Sequence, residues 1–209
     1  MKIIVSSDIH NDFGLIYKII ELYKNQGADY VIILGDISDY GKIKRGLIKK
    51  LVENINPDKI IFVPGNNETP EIPYTLYSLY KIKSLHGKYI IKDNIVFVGI
   101  GGADVPLFMI TEDEIKKILE KVEKKFTDKY IILLTHQPPK GSLTSIDTAG
   151  SEELTKFLHR NNRAILNLHG HIHETGSLED IINKARVINV AGTVKLFEIN
   201  GKDIKVLEE

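Results

Sequence analysis

Short runs of branched apolar residues alternate along this chain with longer segments in which apolar positions recur every three or four residues. Strands are predicted at 2–6, 30–34, 59–63, 95–100, 130–135, 163–168, 186–190, 194–199 and 203–207. Each is a β-branched run, and most are bounded by residues that favour turns. Helices are predicted at 13–25, 43–54, 112–126 and 152–161. The third has the clearest signature: Thr111 and Glu114 form a capping box, and Ile115, Ile118, Leu119, Val122 and Phe126 fall on one face. Its lysines and glutamates lie mostly on the other face, which reads as solvated. The alternation of strand and helix defines an α/β layered architecture. Two loops, at 101–110 and 137–150, are longer than a connection requires, and loops of that length often carry function.

Composition narrows the class. The 209 residues suffice for one domain, 1–209, burying roughly 70% of its unfolded surface. Twenty-eight basic and 28 acidic residues cancel, so no large fixed charge draws the molecule to nucleic acid or an anionic membrane. Cysteine is absent, which excludes disulfides, thiolate metal sites and cysteine nucleophiles within the chain. The opening MKIIVSSDIH is too short an apolar run for a signal peptide, and no stretch approaches the ~18 apolar residues of a membrane span. The expectation is a soluble cytoplasmic protein with no membrane partner.

Polar residues collect where the apolar runs end. The strand at 2–6 leads to Asp8 and His10, that at 30–34 to Gly35-Asp36, and that at 59–63 to Gly65-Asn66. The strand at 130–135 leads to His136, and that at 163–168 to His169-Gly170-His171-x-His173. The carboxyl ends of strands in open α/β sheets are where ligand sites form. Singly these are weak signals, since Gly-Asp is a common turn and a strand-end histidine a common polar cap. His171 and His173 are better placed, because imidazoles two residues apart can address one point or two adjacent ones.

As an ordered set, Asp8-x-His10, Gly35-Asp36, Gly65-Asn66, His136 and Gly170-His171-x-His173 resemble the motifs of the calcineurin-like metallophosphoesterases. The resemblance implies a four-layer α-β-β-α sandwich of two mixed β-sheets flanked by helices, with the strand-rich segment after residue 186 contributing to the second sheet. It implies two divalent metal ions, one held by Asp8, His10 and His173 and the other by Asn66, His136 and His171, with Asp36 bridging. Manganese is the expected metal, and Fe, Zn, Co or Ni also suit an Asp/His/Asn set without thiolate. It implies hydrolysis of small phosphate esters by a hydroxide shared between the ions, which sit about 3.5–4 Å apart in such sites. Asn66, being neutral, leaves its ion a stronger Lewis acid, and the loaded site keeps formally about one positive charge for an incoming phosphate anion. Asn11 and His169 flank these residues and either orient them or serve as a plain turn residue and strand cap. His86 and His159 are expected on a loop and a helix surface.

Position 67 departs from the family pattern. Phosphomonoesterases of the family carry Gly-Asn-His-Asp/Glu, whose histidine protonates the leaving oxygen, whereas this chain reads Gly65-Asn66-Asn67-Glu68. An amide supplies no proton, so general-acid help, usually about 10² to 10⁴ in rate, is absent from this position. Asn67 either donates a hydrogen bond to a phosphoryl oxygen or shapes the turn, and Glu68 is expected to orient the loop. With Asp36 and Asn67 as catalytic residues, a phosphodiesterase is favoured over a phosphomonoesterase or nucleotide phosphatase. A non-catalytic scaffold with this fold is the alternative from another class. A nucleic-acid substrate is disfavoured by the even charge and the lack of a basic-aromatic stripe.

Overall fold

The computed structural model describes residues 1–208. Two six-stranded mixed sheets form it. In the first, β1 (Lys2–Ser6), β2 (Tyr30–Ile33), β3 (Ile60–Phe62) and β4 (Lys83–Ser84) run parallel, and β11 (Val194–Asn200) and β12 (Asp203–Glu208) continue antiparallel beyond β1. In the second, β6 (Ile95–Ile100), β7 (Tyr130–Thr135), β8 (Ala164–His169) and β10 (Ala185–Asn189) run parallel, and β5 (Tyr89–Lys92) and β9 (Glu179–Ile182) close the two edges antiparallel.

The layers follow from the period of two along each strand. In β1, Ile3 and Val5 point between the sheets, where they meet Phe97, Leu134, Leu168 and Ile188. Ile4, between them, points outward to Ile16 and Ile19 of α1 (Phe13–Gln26), Leu47 and Leu51 of α2 (Leu47–Val52) and Leu76 of α3 (Glu71–Tyr80). On the far side, Val98 and Leu133 pack on Ile115, Leu119 and Val122 of α4 (Glu112–Lys125) and Phe157 of α5 (Glu152–Arg160). This is the α-β-β-α sandwich that the resemblance implies, with its central strands buried on both faces and accordingly almost wholly apolar.

Three readings are corrected. Of the segment 186–207 expected in a second sheet, only β10 lies there beside β8, whereas β11 and β12 extend the sheet of β1. The helix expected over 43–54 is confined to Leu47–Val52, because Gly46 precedes it with φ at 89°, outside helical space. A helix at Glu71–Tyr80 was not expected, because two prolines and four tyrosine or threonine positions obscure its periodicity. Pro70 and Pro73 fall at its entrance and first turn, where a missing N–H costs nothing.

Candidate metal centre

Sheet topology brings the strand ends into register. β1, β2 and β3 are parallel neighbours in one sheet, β7 and β8 in the other, and all five release their chains at one end of the sandwich. The loops after β1 and β2 are joined by main-chain hydrogen bonds: Asp8 N–H to Gly35 O at 3.0 Å, His10 N–H to Asp36 O at 2.8 Å and Asn11 N–H to Ile37 O at 3.1 Å. Asp8, His10, Asn11, Asp36 and His171 all have positive φ, between 44° and 73°. Side chains rarely adopt that conformation, and its concentration here marks backbone strain of the kind that functional sites hold.

The side chains converge. Asp8 and Asp36 are nearly inaccessible, and His136 is wholly buried. Asp8, His10 and His173 form one group whose donor atoms all lie within 4.8 Å of one another, and Asp8, Asp36 and His136 form a second. Asp36 touches both, with Oδ2 at 3.7 Å from His10 Nε2 and Oδ1 at 3.5 Å from His136 Nε2. His136 Nε2 also lies 3.0 Å from Asn66 Oδ1, and the ring of His171 stands edge-on to that of His136 with centroids 5.1 Å apart. His171 and His173 therefore address two adjacent points, one beside His136 and the other beside Asp8, whose Oδ1 lies 3.2 Å from His173 Nε2. All seven expected ligand residues meet at this one edge.

Electrostatics set the protonation of the donors. Burial opposes ionisation of Asp36, but the charge and hydrogen bond of His136 and two hydrogen bonds from Asn67 outweigh it and hold the carboxyl well below its usual range. Burial likewise opposes the charge on His136, yet Asp36 and Asp8 raise it to about 9 in the metal-free protein. His171 is pushed down to about 4 by burial and by His136. Burial also pushes down His169 to about 4, so its ring is neutral, with Nδ1 on Gly170 O and Nε2 on the Thr144 hydroxyl.

The residues fit divalent ions on grounds internal to the structure. His10 Nε2 is buried, has no hydrogen-bond partner among the described residues and faces both carboxylates; an orphaned buried nitrogen is costly unless something binds it. The backbone makes room for the acids as well: a Cβ on Gly65 would strike Asp36 Oδ1, and one on Gly170 would strike Asp8 Oδ2. Hard carboxylate oxygens with imidazole nitrogens are the donor set of first-row divalent metals.

Asn67 has both its donors on Asp36. Its N–H reaches Oδ1 at 2.8 Å and its side-chain amide reaches Oδ2 at 2.7 Å, and its backbone is not left-handed. Glu68, wholly buried, accepts from Asp36 N–H, Ser38 N–H, the Ser38 hydroxyl and Gly65 N–H at 2.7–3.1 Å. It ties the Asp36 loop to the Asn66 loop, as an orienting residue should. Asn11 donates to Asp39 Oδ2 at 2.7 Å and to Lys42 O at 2.9 Å. Sequence reasoning missed Asp39, whose Oδ1 lies 2.9 Å from His10 Nδ1. The available signal was its spacing, three residues after Asp36 in the same strand-end loop. His159 is exposed as expected. His86 is not a plain loop histidine: half-buried, it accepts Gly101 N–H at 3.0 Å and packs edge-on against Phe108.

A two-sheet sandwich with carboxylates, imidazoles and an asparagine gathered at one strand-end edge defines the class, the metallophosphoesterases. A family model, calcineurin-like phosphoesterase, matches residues 1–175, and the chain belongs to that family. Among curated proteins it is similar to the phosphodiesterase YfcE of Escherichia coli K12, 33% identical over 72 residues that make up 32% of this chain and 39% of that one. The match thus spans about two fifths of the curated relative. Among solved structures, TT1561 of Thermus thermophilus superposes with a TM-score of 0.75 at 17% identity, covering 99% of this chain and 98% of that one. An archaeal phosphodiesterase superposes with a TM-score of 0.59 at 18% identity, with both chains fully covered. Among the described residues, no helix is long and apolar enough to cross a membrane.

Proposed function

We propose that the chain is a two-metal phosphoesterase with a preference for diesters over monoesters. Asp8, His10 and His173 would hold one ion, Asn66, His136 and His171 the other, and Asp36 would stand between them. Divalent ions at this position supply positive charge against the phosphoryl oxygens and acidify water. The orphaned, carboxylate-facing nitrogen of His10 between Asp8 and Asp36 is the observation that carries the reading. The chain's own residues orient the rings: Nδ1 of His10 pairs with Asp39 and Nδ1 of His136 with Leu34 O, which turns each Nε2 inward, where His136 would offer a lone pair once a metal ion displaces its proton. Asn67 fixes both oxygens of Asp36 and brings no ionisable group to the leaving oxygen, which favours esters with acidic leaving groups.

Protein purified without added metal and then loaded with Mn, Fe, Zn, Co or Ni is expected to hydrolyse bis(p-nitrophenyl) phosphate faster than alkyl monophosphates. Asp36→Ala and His136→Ala are expected to abolish the activity. Faster turnover of alkyl monophosphates would refute the diester preference. Fewer than one ion per chain, together with no activity on reloading, would refute the enzyme reading in favour of a scaffold.

A further inference from the structure

The loops that surround the candidate centre are unusually apolar where they meet water. The loop after β2 presents Tyr40, 82% exposed; the loop after β6 presents Val105, Leu107 and Met109; the loop after β7 presents Leu143, 70% exposed, and Ile146. In the β6 loop the buried apolar residues lie at its base, Ala103 and Ile110, and not at the tip that carries Val105, Leu107 and Met109. Exposed apolar groups gathered on one face mark a binding surface.

Two of the loops are fastened directly to the asparagine pair. Leu107 N–H and Phe108 N–H both donate to Asn66 O, at 2.6 and 3.1 Å. Gly41 N–H donates to Asn67 O at 2.7 Å, and Tyr40 N–H to Asn67 Oδ1 at 3.3 Å. The Leu107 side chain reaches to about 4 Å from the space beside the Gly41 backbone, so the two loops stand side by side. Tyr40 sits at the tip of a tight turn closed by paired Asp39 and Lys42, with φ at 45°. That position favours Gly, Asn or Asp, and an exposed tyrosine held there is strained without any return in packing.

We propose that this rim is the binding site for the organic group of the ester, so that the substrates are phosphoesters carrying an apolar chain or ring, held by Tyr40, Leu107 and Met109. The proposal rests on the phosphoesterase reading of the same site and adds its substrate class. Continuity points to the occupant: the rim loops are hydrogen-bonded to Asn66 and Asn67, so a group lying on the rim lies beside whatever the centre holds.

The test uses dimethylphosphinic, butyl(methyl)phosphinic and hexyl(methyl)phosphinic acid, monoanions like a diester whose organic groups are held by P–C bonds and so resist hydrolysis. Calorimetric titration into the metal-loaded protein is expected to show affinity rising by about tenfold from methyl to hexyl, the scale of one or two methylenes in an apolar pocket. In Leu107→Ser/Met109→Ser, and separately in Tyr40→Asn, which keeps a residue suited to left-handed backbone, the hexyl-to-methyl ratio is expected to fall at least about threefold. A flat series in the native protein, or a ratio that survives in both variants, overturns the assignment and leaves the rim to a macromolecular partner. A parallel assay with bis(p-nitrophenyl) phosphate separates the two readings: no hydrolysis there sinks the enzyme and leaves the affinity series to be judged by itself.

Discussion

At the scale of single residues, the centre depends on groups that do not face it. Asp39 is the clearest case, since its two oxygens divide between His10 Nδ1 and the Asn11 amide. Hydrogen bonds from Asn11 and His10 hold its carboxyl below the usual range despite some burial, so it is an anion that fixes the His10 tautomer. Such partners of a ligating histidine usually contribute about 10- to 100-fold in metal affinity. Asp39→Asn is therefore expected to weaken binding by that factor and to leave the fold intact, because the Asp39 side chain is 45% exposed. Titration of metal into the apo-protein followed by circular dichroism checks both halves, and unchanged affinity would refute the coupling. That the seven expected ligand residues gather at one edge was legible in the sequence, because strand ends in parallel neighbours converge, whereas their roles as ligands came from the resemblance to the calcineurin-like family. Asp39 was not legible, because an aspartate before Tyr-Gly is also what a tight turn requires.

At the scale of elements, legibility followed the strength of local signals. Helix α4 was readable almost to the residue, since the Thr111–Glu114 box closes with Thr111 N–H on Glu114 Oε2 at 2.8 Å and Glu114 N–H on Thr111 Oγ1 at 3.3 Å. Only Phe126 falls outside the helix, as its cap. Thr111→Ala is expected to lower unfolding free energy by about 1 kcal/mol without altering metal content, which urea melts and elemental analysis together would show. A changed metal content would mean that α4 reports to the site through the loop that precedes it. Elements with weaker signals were lost: β4 has only two residues, and β5 and β9 are edge strands with exposed Ile91 and Ile181 and no buried run to announce them. Helix α3 depended on where its prolines fall, which pattern alone does not disclose.

At the scale of the whole molecule, the centre couples metal, protons and stability. In the metal-free protein, His136 titrates near 9 against an ordinary 6.5. Its folded value is raised, so its contribution is fully present below about 6.5 and is lost as pH rises through about 9. His169 and His171 act in the opposite sense: with folded values near 4, they cost stability as pH falls from 6.5 toward 4, because the unfolded chain takes up their protons first. The metal-free protein should therefore be most stable near pH 6.5 and decline on both sides. Metal changes the alkaline limb, since a ligating His136 must be neutral and the ion replaces the imidazolium opposite Asp36. Free ion at 100 times its Kd adds about 2.7 kcal/mol per site. Calorimetric melts in chelator and in excess Mn, at pH values from about 5 to 9, should give a domed profile without metal and a raised one with no alkaline decline with it. Parallel profiles would mean that the ion does not bind at His136, and the assignment of the second ion would have to be abandoned. On the acid side the two should converge, because protons and metal compete for the same histidines.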